Sequence, residues 1–173
     1  MWRQASGTST KAKSTTFFCE ENIIEIGQEQ LGKLKEAARQ DLMKRARLCL
    51  HHNHEDTVQE MVIVFHRDSY VRPHRHKNKS ESFHIIEGAL EVIFFDDEGN
   101  VDRRVCMGSK GEQNTFLYRL ASDRWHTVAP QTEFVIIHET TSGPFVRGDT
   151  EFAPWSPDDG DEDGIKTFMQ NIV

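Results

Sequence analysis

The stretch Pro73-His74-Arg75-His76-Lys77-Asn78-Lys79-Ser80-Glu81-Ser82-Phe83-His84-Ile85-Ile86-Glu87-Gly88 decides how this chain folds. In a strand, residues i and i+2 share a face, so His74 and His76 aim at one point. Lys77 to Ser80 is polar and reads as a turn. Ser82 to Ile86 reads as the start of a returning strand, which brings Glu81 back over the two histidines. Glu87-Gly88 opens a tight turn, since glycine tolerates positive φ. Ala89 to Phe95 is a further strand, ended by the turn signal Asp96-Asp97-Glu98-Gly99-Asn100.

Short strands at hairpin distances continue on both sides, over about 58–66, 70–76, 82–87, 89–95, 101–106, 115–120, 125–129 and 133–140. Many short strands with Gly, Asp and Pro turns point to an all-β sandwich or barrel. Upstream, Leu31, Leu34, Ala38, Leu42 and Ala46 recur at three- and four-residue intervals, which predicts one amphipathic helix from about Gln28 to Lys44. A short strand within Phe17–Ile26 precedes it. After Arg45 the period switches to two. His51-His52-Asn53-His54-Glu55-Asp56 reads as a solvated polar loop rather than a metal site. His66 and His138 lie in apolar strands and read as packed or hydrogen-bonded residues.

A third histidine stands in Arg124-Trp125-His126-Thr127-Val128. His74, His76, His126 and Glu81 together offer three imidazoles and a carboxylate, a donor set that suits Fe, Mn, Ni or Zn. Parity argues against His84 as a ligand: if Glu81 points inward, so do Phe83 and Ile85, and His84 faces away unless a bulge intervenes. Arg72 has the parity of His74 and His76 and is a candidate for binding a carboxylate or phosphate. Tyr118 and Arg119 are further candidates for substrate binding; being neighbours on a strand, at most one of them looks inward. Trp125 and Trp155 read as packing residues.

His-x-His, four residues, Glu, six residues, Gly is the first motif of the cupin superfamily, and His74, His76, Glu81 and Gly88 match it at every position. Of the second motif only His126 stands; Thr115, Ala121, Asp123 and Pro130 replace its Gly, Pro, Gly and Asn. The chain also resembles the WbuC-type cupin-fold metalloproteins over about residues 25–160. The matching stretches include Arg45-Ala46-Arg47-Leu48, Val58-Gln59-Glu60-Met61, Tyr70 to His76, Trp125-His126-Thr127 and Glu151-Phe152-Ala153-Pro154-Trp155. The resemblance implies an all-β fold, a single cupin barrel (double-stranded β-helix, or jelly roll) with one N-terminal α-helix. It implies one divalent metal, and an association with surface-polysaccharide gene clusters.

The expected organisation is a disordered leader (1–16), a strand and helix extension (17–52), the barrel (53–155) and an acidic tail (156–173). The 173 residues suffice for one domain with a full core. Of 28 acids, five fall between Asp158 and Asp163, a run that reads as solvated chain; without it the body is near neutral. That argues against nucleic acid as a partner, because phosphate binding needs a basic face. A single N-terminal helix offers no helix-turn-helix. No apolar run approaches a membrane span. Three widely spaced cysteines, Cys19, Cys49 and Cys106, read as reduced thiols of a cytoplasmic protein, and no secretory leader is expected.

The function expected is that of a mononuclear metal-binding cupin acting on a small molecule. A carbohydrate linked to surface-polysaccharide metabolism follows from the resemblance, with isomerase or epimerase chemistry and oxygenation both compatible. A module that binds a small molecule or metal without turnover is the alternative, so whether the chain is an enzyme stays open here. Metal-free epimerisation with a histidine base is a third reading; it needs a His–Asp dyad, and no Asp partner is readable. Expected partners are the small-molecule ligand and a second copy in a homodimer, with no nucleic acid or membrane.

Overall fold

The computed structural model describes residues 2–4, 14–109 and 115–173. In chain order the elements are β1 (Trp2–Gln4), β2 (Thr15–Cys19), α1 (Gln28–Gln40), β3 (Arg45–Cys49), β4 (Val58–His66), β5 (His74–His76) and β6 (Glu81–Glu87). They continue with β7 (Ala89–Phe95), β8 (Val101–Gly108), β9 (Leu117–Leu120), β10 (Trp125–Pro130), β11 (Phe134–Ser142), a 3-10 turn (Arg147–Asp149), β12 (Thr150–Phe152) and α2 (Glu162–Ile172). One sheet has the order β1-β2-β3-β4-β11-β6-β9, the other β12-β5-β10-β7-β8. Except for the β7–β8 hairpin, every strand from β4 onward leaves one sheet for the other. This alternation is a jelly roll. Inward side chains of both sheets, among them Ile63, Phe83, Ile85 and Ile137 from the first and Leu90, Val92, Phe94 and Val128 from the second, form one core.

The outer face of each sheet is covered by one helix. Leu31, Leu34 and Ala38 of α1 pack on Ala46, Leu48, Val62, Val64 and Ile136 of the larger sheet. Residues Phe168, Met169 and Ile172 of α2 pack with Trp155 on Ile93, Phe95, Trp125 and Ala129 of the smaller one. The expected tail at 156–173 is therefore corrected: its acids begin a docked helix. Asp161 caps it by accepting from the Gly164 N–H at 3.0 Å, and Glu162 and Asp163 occupy the first turn, where the helix dipole favours negative charge. Arg104 holds the other end by donating to the Ile172 carbonyl at 2.7 Å.

The helix α1 stops before the predicted Lys44. The Asp41 carboxylate accepts from the Thr15 N–H and the Met43 N–H instead of continuing the helix, and Leu42 is left 90% exposed. Nor is the 17–52 extension separate from the barrel, since β2 pairs with β3 and β3 with β4. Part of the expected leader is strand too: Trp2–Gln4 pairs with Phe17–Cys19. Its residues 1 and 5–13 lie outside the described residues. At the other end of the motif, Gly88 has φ +80°, and a Cβ there would meet the Phe134 carbonyl oxygen at 2.3 Å and Thr132 Oγ1 at 2.5 Å. Gly88→Ala is expected to destabilise the fold by about 2 kcal/mol or more, read as the shift in a urea unfolding curve. No shift would mean that the β6–β7 turn is not held as described.

Candidate metal centre

Strands β5 and β10 are neighbours, and His74 lies directly opposite His126. His76 follows on the same face as His74 by the two-residue period. The chain then reverses through Lys77–Ser80, helped by Asn78 at φ 57°, a conformation that asparagine tolerates. It enters the opposite sheet at Glu81, whose carboxylate comes to face the imidazoles. Ligand atoms of His74, His76 and His126 all lie within 4.8 Å of one another.

Each ring is fixed through its other nitrogen. Nδ1 of His74 bonds the Arg72 carbonyl at 2.9 Å, Nδ1 of His126 bonds the Arg124 carbonyl at 2.9 Å, and Nδ1 of His76 meets Thr150 Oγ1 at 3.1 Å. A carbonyl only accepts, so Nδ1 of His74 and of His126 carries the proton and Nε2 is left with a lone pair. Glu81 Oε1 lies 3.0 Å from His126 Nε2, and Oε2 lies 3.4 Å from His76 Nε2. Yet His126 Nε2 is buried and has no aligned hydrogen-bond partner. Two acceptors do not rest 3.0 Å apart unless a second proton or a cation lies between them. The imidazoles, their second nitrogens anchored as in histidine metal sites, fit such a cation.

The electrostatics match. Burial raises the Glu81 carboxyl, but His126, His76 and His74 outweigh it, and the net displacement is downward. Burial lowers the His126 imidazolium, but Glu81 overcomes it and the net shift is upward. His74 is pushed down to about 3, first by burial and then by the two other histidines. His74 is thus neutral at neutral pH, whereas a proton on His126 competes with any ion. Metal affinity is therefore expected to fall with falling pH, starting above the value of about 6.5 at which a free imidazole titrates. Calorimetric titrations at several pH values check this; flat affinity from pH 8 to 5 would remove the histidines as ligands.

Of the expected substrate residues, Tyr118 is at the site: its hydroxyl donates to Glu81 Oε1 at 3.4 Å. Burial, then Glu81, raises its pKa, so it stays a donor. Arg119, its neighbour, is exposed on the opposite face and is dropped. Arg72 is corrected as well. Its guanidinium is held by Ser156 Oγ at 3.0 Å and by the Asp158 carboxylate, so it ties down the segment before α2. Only its carbonyl serves the site. His84 is exposed, as parity requires. His51 is buried against Glu60 backbone atoms, and His66 and His138 approach Asp68 and Glu60, away from the cluster. Trp125 and Trp155 pack against each other.

Two participants escape sequence reading. Thr150, which orients His76, lies on β12, and only the β5–β12 pairing brings it there. Glu139 continues the inward side of β11 after Val135 and Ile137, opposite Phe83 of β6. An acid at an apolar parity position was the available signal. Burial, and then Glu81, pushes its carboxyl up to about 7. The interior is graded: Val135, Ile137, Leu90 and Val92 are closed off, whereas Arg47, Glu139, Thr141, His74 and His76 keep partial exposure while facing inward. One end of the barrel is thus closed by apolar side chains, and the other is polar and partly exposed. A groove of about 600 Å³ beside α2, lined by Trp155, Pro157 and Phe168, lies apart from the histidines.

The two-sheet jelly roll is the architecture expected of a single cupin barrel. Residues 26–107 match a family described as "Domain of unknown function (DUF6016)". No curated protein matches the chain. Among solved structures it is similar to a Shewanella oneidensis protein (13% identity, TM-score 0.49, covering 57% of this chain and 63% of that one). It is also similar to a cupin superfamily protein from Desulfitobacterium hafniense (11%, TM-score 0.41, 57% and 76%). A third is the L-ribose isomerase of Cellulomonas parahominis (12%, TM-score 0.46, 60% and 60%). The chain thus spans less than two thirds of the length of the first and third. Among the described residues, no helix is long and apolar enough to cross a membrane.

Proposed function

We propose that this protein holds one divalent transition metal (Fe, Mn, Ni or Zn) on His74, His76, Glu81 and His126, and acts on a small molecule at the polar end of the barrel. The observation that carries the reading is the buried His126 Nε2, without an aligned partner and 3.0 Å from a carboxylate oxygen. When bound, such an ion polarises a carbonyl or lowers the pKa of a bound water. The chain's own groups do the rest: Tyr118 steadies Glu81, and Glu139 offers a second carboxyl beside it. The WbuC resemblance supports a carbohydrate linked to surface-polysaccharide metabolism, with isomerase or epimerase chemistry or oxygenation. Free Cys19, Cys49 and Cys106 support a cytoplasmic setting. For a homodimer, the support is the exposed Ile86, Phe116 and Leu117 at and beside the β9 edge.

Elemental analysis after gentle purification is expected to find about one divalent ion per chain. Substoichiometric metal that added Fe, Mn, Ni or Zn does not restore would end the reading. Oxygen uptake with small acids and solvent-proton exchange with keto-sugars then test turnover. Silence in both, with metal in place, would favour the non-catalytic binding module.

A further inference from the structure

The larger sheet turns an unpartnered arginine into the barrel. Arg47 pairs with Ile63 across β3 and β4, and residues directly opposite share a face. Ile63 belongs to the interior core with Cys49 and Met61, whereas Ala46 and Leu48, on either side of Arg47, face α1. Arg47 Nε is buried and lacks a hydrogen-bond partner, and among the described residues its guanidinium makes no ion pair. Arg45, two residues earlier and on the same face, differs: it donates to the Tyr70 carbonyl at 3.0 Å. Glu139 shares the interior with Arg47, opposite Met61, and the guanidinium favours its charge from beyond ion-pair distance. A buried donor left unmade is costly, and the planar edge of a guanidinium matches a carboxylate with two parallel hydrogen bonds.

We infer that Arg47 is the recognition residue for a small hydroxy acid, whose carboxylate takes the guanidinium edge of Arg47 while its hydroxyls reach toward Glu139 and the histidine cluster. This rests on the proposed metal centre only for what the far end of the ligand meets. The charge balance selects the class. The guanidinium edge of Arg47 matches one carboxylate with two parallel hydrogen bonds, whereas a phosphate dianion would bring a second negative charge toward Glu81 and Glu139. Glu139 and Tyr118, flanking the same interior, suit hydroxyl groups rather than an aliphatic tail.

The test is calorimetric titration of the full chain after incubation with zinc, using glycolate, tartrate and gluconate, each against its neutral alcohol (ethylene glycol, threitol, sorbitol), and glycerol 3-phosphate. At least one acid is expected to bind about tenfold or more tighter than its alcohol. Arg47→Met is expected to abolish that difference, and Arg47→Lys to weaken the acid several-fold because it keeps the charge and loses the two-donor edge. Metal content should stay equal in all three proteins. Equal affinity for acid and alcohol, acid binding unchanged in Arg47→Met, or tighter binding of the phosphate would each overturn the inference. If Arg47→Met does not fold, Arg47→Lys decides, and unchanged acid binding there overturns it. If no metal loads, acid binding that depends on Arg47 still upholds this inference while ending the metal reading. Metal that loads without such binding does the reverse.

Discussion

Glu81→Gln is expected to weaken the affinity for a divalent ion by more than about a hundredfold, while His84→Ala stays within a few-fold. The two residues are three apart in one strand and both are ligands by type. Their surroundings differ completely. Glu81 is 4% exposed and faces Nε2 of both His76 and His126. The glutamine keeps the shape and removes the negative charge that lies against His76 and His126. His84 looks outward from β6, near Phe116. Competition with a chromophoric chelator gives both dissociation constants in parallel. An empty site in His84→Ala beside a filled one in Glu81→Gln would mean that the ligand assignment is wrong.

Removing residues 159–173 is expected to cost about 3–6 kcal/mol, from the apolar surface of Phe168, Met169 and Ile172 returned to water at roughly 1.5–3 kcal/mol per fully buried side chain. For a domain of this size the melting temperature should fall by about 10 °C or more. The deletion uncovers Ile93, Phe95 and Trp125 and takes from Arg104 its carbonyl partner, leaving it only Glu91. Circular dichroism melts of the two chains decide. An unchanged midpoint would mean that α2 contributes nothing to the barrel.

That helix also marks where sequence reading fell short. Net charge between Asp158 and Asp163 suggested solvated chain, yet Ile165, Phe168, Met169 and Ile172 follow at helical spacing, and the acids are what a helix start favours. The pattern is legible in the sequence, but a run of five acids carries the same signature in a solvated tail and in a helix start. The histidine pair, Glu81 and the outward His84 were legible for a different reason: period two in a strand fixes faces without knowledge of the partner. Thr150 and Arg72 were not. The contacts that position Thr150 at His76, and that turn Arg72 toward Ser156 and Asp158, span 74 to 86 residues of sequence. They exist only because β12 closes on β5. Arg47 has the parity of an inward residue, but parity cannot say whether a charge finds a partner.

His74, His76 and His126 belong to the five-stranded sheet and Glu81 to the seven-stranded one. An ion held by all four would act as a rivet through the seam, fastening sheet to sheet at the end where no apolar plug does so. Whatever free energy holds the ion also resists the parting of the two sheets. At a free concentration a thousand times the dissociation constant this is about 4 kcal/mol, comparable to the contribution of the C-terminal helix on the outside of the barrel.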